Sequence, residues 1–204
     1  YVIVYRNISN MHQVLHDGMY VDESGTGFSL RDYKDMLLIG GGGHKTGKCT
    51  GGYSNISSFA EKHYPEAAEC YRYATQDCMT LDRVPYIGHY SKRTHNIYVA
   101  TGFNKWGMTS AMTASTILAD MIMGKHSTYS GVFSPSRSIL HRQLAVNICN
   151  ATANLLKPSR KRCAHLGCAL TWNPNEKTWD CPCHGSRFSK DGEVINNPAN
   201  RNLS

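Results

Sequence analysis

Short runs of β-branched and aromatic residues at the start of the chain predict β-strands. Residues 1–40 contain the run YVIVY, two loosely alternating stretches and the apolar run DMLLIG, which ends in glycines. Apolar runs of this length between glycine-rich or polar turns are typical of strands. Residues 54–74 are predicted to form a helix that is interrupted or restarted at Pro65. After a turn-rich stretch, the segment NIYVATGF predicts a further strand.

Two helices are predicted in the second half of the chain. The first covers residues 109–123, with Thr109 or Ser110 as its N-terminal cap and Gly124 as its end. The second covers residues 137–156 and has one apolar stripe, which is the pattern of an amphipathic helix. The stripe consists of Ile139, Leu140, Leu144, Ile148, Ala151 and Leu155.

The composition allows a packed core and gives no sign of a membrane span. Of the 204 residues, 41% are hydrophobic, so wholesale disorder is excluded. No stretch approaches the roughly 18 consecutive apolar residues of a membrane helix, and no basic segment followed by an apolar run indicates a signal peptide. A cytoplasmic location is therefore expected.

The net charge of +7 weakly favours acidic partners. The densest basic run consists of Lys157, Arg160, Lys161 and Arg162. Since no aromatic-rich basic motif accompanies this run, it is interpreted as a solvated linker, and nucleic-acid binding is not expected.

The cysteines indicate where chemistry is concentrated. Cys49, Cys70, Cys78 and Cys149 are scattered without ligand spacing and are predicted to be free buried thiols. From Pro158 onward the chain consists of short loops rich in Cys, His, Gly and Pro, so a domain boundary is placed there. Four further cysteines fall within 21 residues of this part, interleaved with two histidines. Crowding of this kind indicates a metal site rather than the disulfide framework of a secreted protein.

Two short boxes, CAHLGC at residues 163–168 and CPCHGS at residues 181–186, carry these side chains. A 2Fe-2S cluster with two thiolates on one iron and two imidazoles on the other needs this supply of ligands. A structural zinc site needs only four ligands, usually from CxxC-type knuckles, and six candidates fit it poorly. A pure disulfide staple is the remaining alternative. The two boxes closely resemble those of a Rieske iron–sulfur domain.

The resemblance implies specific roles. It makes Cys163 and Cys181 ligands of the inner iron, makes His165 and His184 ligands of the outer iron, and pairs Cys168 with Cys183 in a disulfide. It also implies that Gly167 and Gly185 let backbone amides approach the cluster, and that Ser186 donates a hydrogen bond to a cluster sulfur. Higher-potential members often carry Tyr where this chain has Phe188, so a reduction potential below that of the respiratory-complex relatives is expected.

The segment LLIGGGGHKTGKC contains the GxxxxGK pattern of a phosphate-binding loop. The next position holds Cys49 rather than the Ser or Thr that would bind Mg²⁺, and further glycines disfavour the helix that should follow. The glycines are therefore interpreted as a strand-to-loop turn.

Several segments of about residues 1–126 resemble the C-terminal half of FAD-dependent amino-acid oxidoreductases of the D-amino-acid and glycine oxidase type. They are SLRDYKDMLLIGGGGHKTG, TQDCMTLDRVPYIG and NIYVATGFNKWGMTSAMTASTILADMI. More narrowly, the chain resembles bacterial members fused to a C-terminal Rieske domain. The ADP-binding half of that family, with its GxGxxG motif, does not occur in these 204 residues.

In that family, the glycine turn before the last helix lies against the flavin. Such a turn brings backbone amides and a helix N-terminus to the part of the flavin where negative charge develops on reduction. A simple helix-capping turn is the alternative. The resemblance implies FAD contacts at Gly102, Phe103, Asn104, Lys105, Trp106, Gly107, Met108 and Thr109.

Together, these features predict an α+β chain with three parts. Residues 1–126 are the C-terminal portion of an FAD-dependent oxidoreductase, residues 127–157 a connecting loop and helix, and residues 158–204 a small all-β Rieske domain. The predicted function is oxidation of a small-molecule amine or amino acid, with electrons passing from FAD to the 2Fe-2S cluster and on to a redox partner. The alternatives are a Rieske ferredoxin-like electron carrier and a protein-interaction module with a structural cluster.

Overall fold

The computed structural model describes residues 1–6, 8, 18–23, 27–48 and 51–203. The chain forms two compact units: Tyr1–Thr75 together with Ala151–Ser204, and Gln76–Asn150. The secondary structure mixes helices and sheets, which confirms the predicted α+β class. The three-part division by residue number stays a prediction. No helix of the described residues is long and apolar enough to cross a membrane.

The first unit contains a five-stranded antiparallel sheet in the order β2-β3-β4-β1-β5. Its strands are β1 (Val2–Arg6), β2 (Met19–Val21), β3 (Ser29–Tyr33), β4 (Met36–Gly40) and β5 (Ala68–Tyr73). Alternate residues on the central strands, such as Leu37 and Ile39, point to one face. There they pack against Ile56 and Ala60 of helix α1 (Ser54–His63). The predicted strands in residues 1–40 are thus present wherever the structure describes them.

The predicted helix over residues 54–74 is only half right. Helix α1 ends at His63, next to Pro65, and Ala68–Tyr73 forms the edge strand β5 instead. The segment is rich in Ala and Glu, which favour helix locally. Pairing along β1, with Tyr73 opposite Val2, overrides that propensity.

The cluster subdomain, residues 158–203 of the first unit, contains a second antiparallel sheet in the order β11-β10-β9-β8. Its strands are β8 (Thr171–Asn173), β9 (Thr178–Asp180), β10 (Arg187–Ser189) and β11 (Val194–Asn196). Phe188 is fully buried at its centre, beside Leu170 and Ala199. The predicted all-β region is confirmed. One cysteine box precedes β8 and the other connects β9 to β10.

The second unit is built on the hairpin β6 (Tyr86–His89) and β7 (Tyr98–Thr101), followed by helix α2 (Gly107–Ile122) and the short helix α3 (Ser130–Phe133). Ile87 packs with Ala114 and Ile117 of α2. Strand β7 and helix α2 were both predicted. The predicted cap at Thr109 or Ser110 is wrong, because the helix begins two residues earlier and Trp106 caps it without a side-chain hydrogen bond.

Helix α4 (Arg142–Leu156) begins later than the predicted residue 137. Arg137 lies before the helix and pairs with Asp82 instead, with Nε 2.6 Å from Oδ2. Only the later part of the predicted apolar stripe lies on α4, because Ile139 and Leu140 precede the helix, and no residue of α4 is buried. The stripe is therefore not part of the core of the described residues.

The three scattered cysteines that the structure describes are free, as predicted, but the predicted burial is wrong for all three. Cys78 and Cys149 are exposed and Cys70 is half-buried. Cys70 lies on the edge strand β5, and Cys149 lies on α4, which has no buried residue, so the expected burial fails. Cys49 lies outside the described residues.

Candidate metal centre

The two cysteine boxes fold into loops with the same hydrogen-bond frame. In each loop, the amide of the first cysteine donates to the carbonyl of the sixth residue, and the amide of the fifth-position glycine donates to the carbonyl of that cysteine. The distances are 2.8 and 2.9 Å in the first loop (residues 163–168) and 2.8 and 3.0 Å in the second (residues 181–186). Gly167 and Gly185 have φ of 75° and 83°, which glycine adopts without strain. Spacing within each box therefore determines the shape of its loop.

These frames bring the candidate ligands of both loops together. The rings of His165 and His184 lie 5.1 Å apart between centroids, nearly perpendicular to one another. The thiol of Cys163 hydrogen-bonds with that of Cys181, and both cysteines are buried. The two thiols and two imidazoles expected from the sequence thus face each other across the loops in like pairs.

Burial favours the neutral forms of Cys181 and His184 in these loops. Burial raises the pKa of the Cys181 thiol to about 11, and the neighbouring Cys163 contributes to the increase. Burial also lowers the pKa of His184, as does the nearby His165. Two thiols and two neutral imidazoles are the donor set that a Rieske cluster uses, and metal binding replaces the thiol protons. The residues present therefore fit a 2Fe-2S cluster, although the assignment of each ligand stays a prediction.

Cys168 and Cys183, the predicted disulfide pair, are free thiols in this structure. Their sulfurs and that of Cys181 all lie within 4.8 Å of one another. The pKa of Cys183 is raised by burial and by its hydrogen bond with Cys168. The structure thus brings the two cysteines together, and the disulfide between them stays a prediction.

Ser186 is positioned as a hydrogen-bond donor. Its side chain is fully buried, and its Oγ accepts a hydrogen bond from the Ala199 amide at 3.0 Å. Because this bond uses an oxygen lone pair, the hydroxyl proton stays available for a second bond. The geometry is compatible with the predicted bond to a cluster sulfur.

Arg162 belongs to the basic run that was interpreted as a solvated linker, and for this residue the interpretation is wrong. Its guanidinium donates to the carbonyls of Leu155 and Lys157 at the end of α4, at 3.1 and 3.0 Å. The same group donates to the Gly167 carbonyl of the first cluster loop at 2.8 Å. Arg162 therefore joins the C-terminus of α4 to that loop. Its position directly before Cys163 is the only sequence signal for this role.

A buried ion cluster also lies beside the second loop. Asp180, immediately before Cys181, is 2% exposed, and its Oδ1 lies 3.3 Å from Nε of Arg187. Arg187 also lies 3.5 Å from Glu176. Asp180 and Arg187 face each other across β9 and β10. Sequence reasoning missed this pair, because it is formed by strand register.

In the second unit, the predicted FAD-binding turn connects β7 to α2. Gly102, Asn104 and Lys105 all have positive φ, which produces a sharp reversal. The Asn104 side chain holds the turn: it accepts a hydrogen bond from the Thr80 amide at 2.9 Å and donates to the Gly102 carbonyl at 2.7 Å.

The rest of the turn is open. Phe103 is half-buried, whereas the remaining predicted contacts, Lys105, Trp106, Gly107, Met108 and Thr109, are exposed. The first amides of a helix have no acceptor within it, so the 16-residue α2 presents donors and its positive end at this turn. This donor set fits the edge of a flavin that becomes negative on reduction. The individual contacts stay predictions.

Comparisons with known proteins agree with both parts of this description. A family model described as FAD dependent oxidoreductase matches residues 1–121. The chain belongs to this family. A second model, described as Rieske 2Fe-2S domain, matches residues 135–204. The oxidoreductase domain implies FAD and the Rieske domain implies a 2Fe-2S cluster, so the resemblance stated from the sequence is confirmed.

Relatives match either most of the chain or a short part of it. A Bacillus subtilis (strain 168) relative, YhfW, named as a Rieske 2Fe-2S iron-sulfur protein, is 33% identical over 90% of this chain and 46% of its own length. Cytochrome b6-f complex iron-sulfur subunit 3 of Nostoc sp. (strain PCC 7120) is 54% identical, over 18% of this chain and 21% of its own length. The chain thus spans less than half of each of these relatives. No solved structure is a significant match.

Proposed function

We propose that the oxidoreductase to which this chain belongs oxidises an amine or amino acid and delivers the electrons through its Rieske centre to a separate redox partner. Bound FAD would supply the hydride-accepting chemistry, and the 2Fe-2S cluster would supply one-electron transfer. One observation carries the proposal: a chain of the FAD dependent oxidoreductase family also contains two matched loops with a complete Rieske donor set.

The four side chains that face each other across the loops have separate tasks in this proposal. Cys163 and Cys181 hold the inner iron in the buried part of the subdomain. His165 and His184 are exposed and hold the outer iron, where a redox partner can approach. Neutral imidazoles in place of thiolates reduce the negative charge on the site and make reduction easier. The predicted disulfide between Cys168 and Cys183 would join the two loops.

The turn before α2 has the task of orienting the flavin. Asn104 fixes the backbone of the turn, and the amides of Gly107, Met108 and Thr109 are in the first turn of the helix. Donors at this position favour the reduced, anionic ring. We further propose a cytoplasmic location and no nucleic-acid partner.

The proposal is tested on the full-length protein from the same gene. Iron analysis and electron paramagnetic resonance of the dithionite-reduced protein should show a mixed His/Cys 2Fe-2S centre. Anaerobic addition of a panel of amines and amino acids should bleach the flavin absorbance and then produce the same resonance signal. Zinc in place of iron, or a cluster that no substrate in the panel reduces while the flavin is bleached, would refute electron flow from flavin to cluster.

A second candidate is an electron carrier without substrate chemistry. The likeness of a short part of the chain to a cytochrome b6-f complex iron-sulfur subunit favours it. The absence of flavin absorbance from the purified full-length protein, with an intact and reversibly reducible cluster, would select this candidate.

A further inference from the structure

The second cluster loop lies directly against the glycine loop that follows β4 (residues 41–48). A Cβ placed on Gly47 would lie 2.6 Å from Cβ and 2.7 Å from Cα of Pro182. Real Cβ atoms essentially never approach other atoms this closely, and Gly47 also has a φ of 77°. Only glycine therefore allows this approach. Pro182 stands between Cys181 and Cys183, so the contact is made by the loop that carries half of the candidate ligands.

Polar contacts continue this interface along the β8–β9 turn. Oη of Tyr53 donates to Oε1 of Glu176 at 2.5 Å. Nδ2 of Asn175 donates to the Gly51 carbonyl at 3.2 Å. A Cβ on Gly52 would lie 2.4 Å from the Asn175 side chain, so this approach is also close. Burial and the Glu176 carboxylate raise the pKa of Tyr53, which keeps its hydroxyl protonated as a donor.

A third contact starts at the first residue of the chain. Nδ2 of Asn173 donates to Oη of Tyr1 at 3.2 Å. The same hydroxyl lies 2.8 Å from Nε2 of His44 in the glycine loop. Asn173 is 2% exposed, and it also donates to Asp180 at 3.0 Å. The contact therefore links the glycine loop to the residue that precedes Cys181.

The groups on the cluster side are themselves held in place. Glu176 and Asp180 both pair with Arg187, so the side chains that meet Tyr53 and Asn173 belong to one buried ion cluster. Side chains already restrained by neighbours lose little conformational entropy on docking. A fixed interface is favoured over a transient one for this reason.

We propose that Tyr1, residues 41–48 and residues 51–53 form a permanent docking surface on which the cluster subdomain is held, with Gly47 against Pro182 as its contact nearest the cluster. Pro182 is buried, whereas His165 and His184 are exposed. Docking therefore covers the proline side of the second loop and leaves the imidazole side accessible. The cluster stays in one place relative to the first sheet, instead of moving on a tether. Docking itself needs no flavin chemistry; only its kinetic consequence rests on the proposed function.

The first test is hydrogen–deuterium exchange on the full-length, cluster-loaded protein. Gly47→Ala should accelerate exchange of the amides in residues 41–48 and 181–186 by at least about tenfold, because the interface opens. Gly124→Ala is the matched control: this glycine also has a positive φ (68°), but a Cβ there meets nothing within 4 Å. It should leave both segments unchanged. Unchanged exchange in Gly47→Ala would overturn the proposal.

A second variant, Tyr53→Phe, tests the docking surface independently and decides whether it exists if Gly47→Ala fails to fold. Tyr53→Phe keeps the ring and loses only the bond to Glu176, so exchange in residues 181–186 should rise several-fold. Tyr71→Phe, at an exposed position on β5, should change nothing. Equal exchange in these two variants would refute the docking surface.

The dependence of cluster reduction on solvent viscosity tests permanent docking separately from the proposed function. In the unaltered protein, the rate at which substrate reduces the cluster should not fall when glycerol is added, because a docked cluster does not have to diffuse. A rate that falls in proportion to viscosity would overturn permanent docking. If no substrate reduces the cluster at all, the proposed function fails, and the exchange experiments still decide whether the subdomain is docked.

Discussion

Replacing Ser186 by Ala should lower the reduction potential of the cluster. Ser186 is fully buried beside the second-loop ligands, and its oxygen already accepts from the Ala199 amide. Its proton is therefore the part available to a cluster sulfur. Reduction makes the sulfur more negative, so the hydrogen bond is stronger in the reduced state. Its loss must destabilise the reduced form more than the oxidised form.

The size of the effect follows from the strength of such bonds. A hydrogen bond to a charged group contributes about 1.5–3 kcal/mol. Only the part that differs between the two redox states changes the potential. Taking that part as about 1.4 kcal/mol, a one-electron couple shifts by about 60 mV. A second effect is a stability loss of about 1–3 kcal/mol, since the buried Ala199 amide loses its acceptor.

The assay is a redox titration of the full-length protein, followed by circular dichroism of the cluster and by electron paramagnetic resonance. Ser189→Ala is the matched control, because Oγ of Ser189 accepts hydrogen bonds from the amides of Asp191 and Glu193, at the end of β10 away from the second loop. It should leave the potential unchanged. A Ser186→Ala protein with an intact resonance signal and an unchanged potential would refute the predicted hydrogen bond to a cluster sulfur.

Two further predictions concern one set of stabilising hydrogen bonds in each unit. Asp82→Asn should lower the free energy of unfolding by about 2 kcal/mol, because it weakens the two hydrogen bonds that Arg137 donates to the carboxylate. Asp77→Asn, at an exposed position, should leave the free energy of unfolding unchanged. The hydrogen bond from Arg137 lowers the pKa of Asp82. The stability that this ion pair contributes is therefore complete above the ordinary carboxyl pKa and is lost progressively as the pH falls below it. Urea unfolding at about pH 7 and about pH 3 should show that the difference in unfolding free energy between Asp82→Asn and the unaltered protein is smaller in acid. Arg162→Ala should accelerate loss of cluster absorbance to a chelator by about tenfold, because the Gly167 carbonyl loses its donor. An unchanged rate would contradict that role.

The cluster loops could be predicted because the residues that define each loop are close together in the sequence. The candidate ligands, the glycines at positive φ and the frame hydrogen bonds all fall within six consecutive residues in each loop. The sequence of each box therefore indicates both the candidate ligands and the local shape of the loop, although the ligand assignment stays a prediction. Strand β7 and helix α2, on either side of the predicted FAD-binding turn, were predictable for the same reason, since both are short-range patterns. Strand β6 was not predicted, because its residues lie in a stretch interpreted as turn-rich.

What the sequence did not reveal depends on distant partners. Residues 68–73 form a strand because the edge of β1 is available, although their composition favours a helix. The apolar stripe predicted an amphipathic helix, but the pattern could not show that none of the residues of α4 is buried. Likewise, Tyr53 and Glu176 are 123 positions apart, and no motif marks either of them as an interface residue.

The hydrogen-bond frames of the two cluster loops are local, whereas the proposed docking surface depends on residues far apart in the sequence. Experiments on cluster binding and experiments on docking are therefore independent of one another. Each frame is closed by bonds within its own loop, so opening the contact between Gly47 and Pro182 removes none of them. Gly47→Ala should therefore retain iron content and the resonance signal while exchange in residues 41–48 and 181–186 increases. Loss of the cluster in Gly47→Ala, but not in Gly124→Ala, would mean that the glycine loop shapes the ligand set itself. The two loops would then not be sufficient to hold the cluster, and their hydrogen-bond frames would be only part of the site.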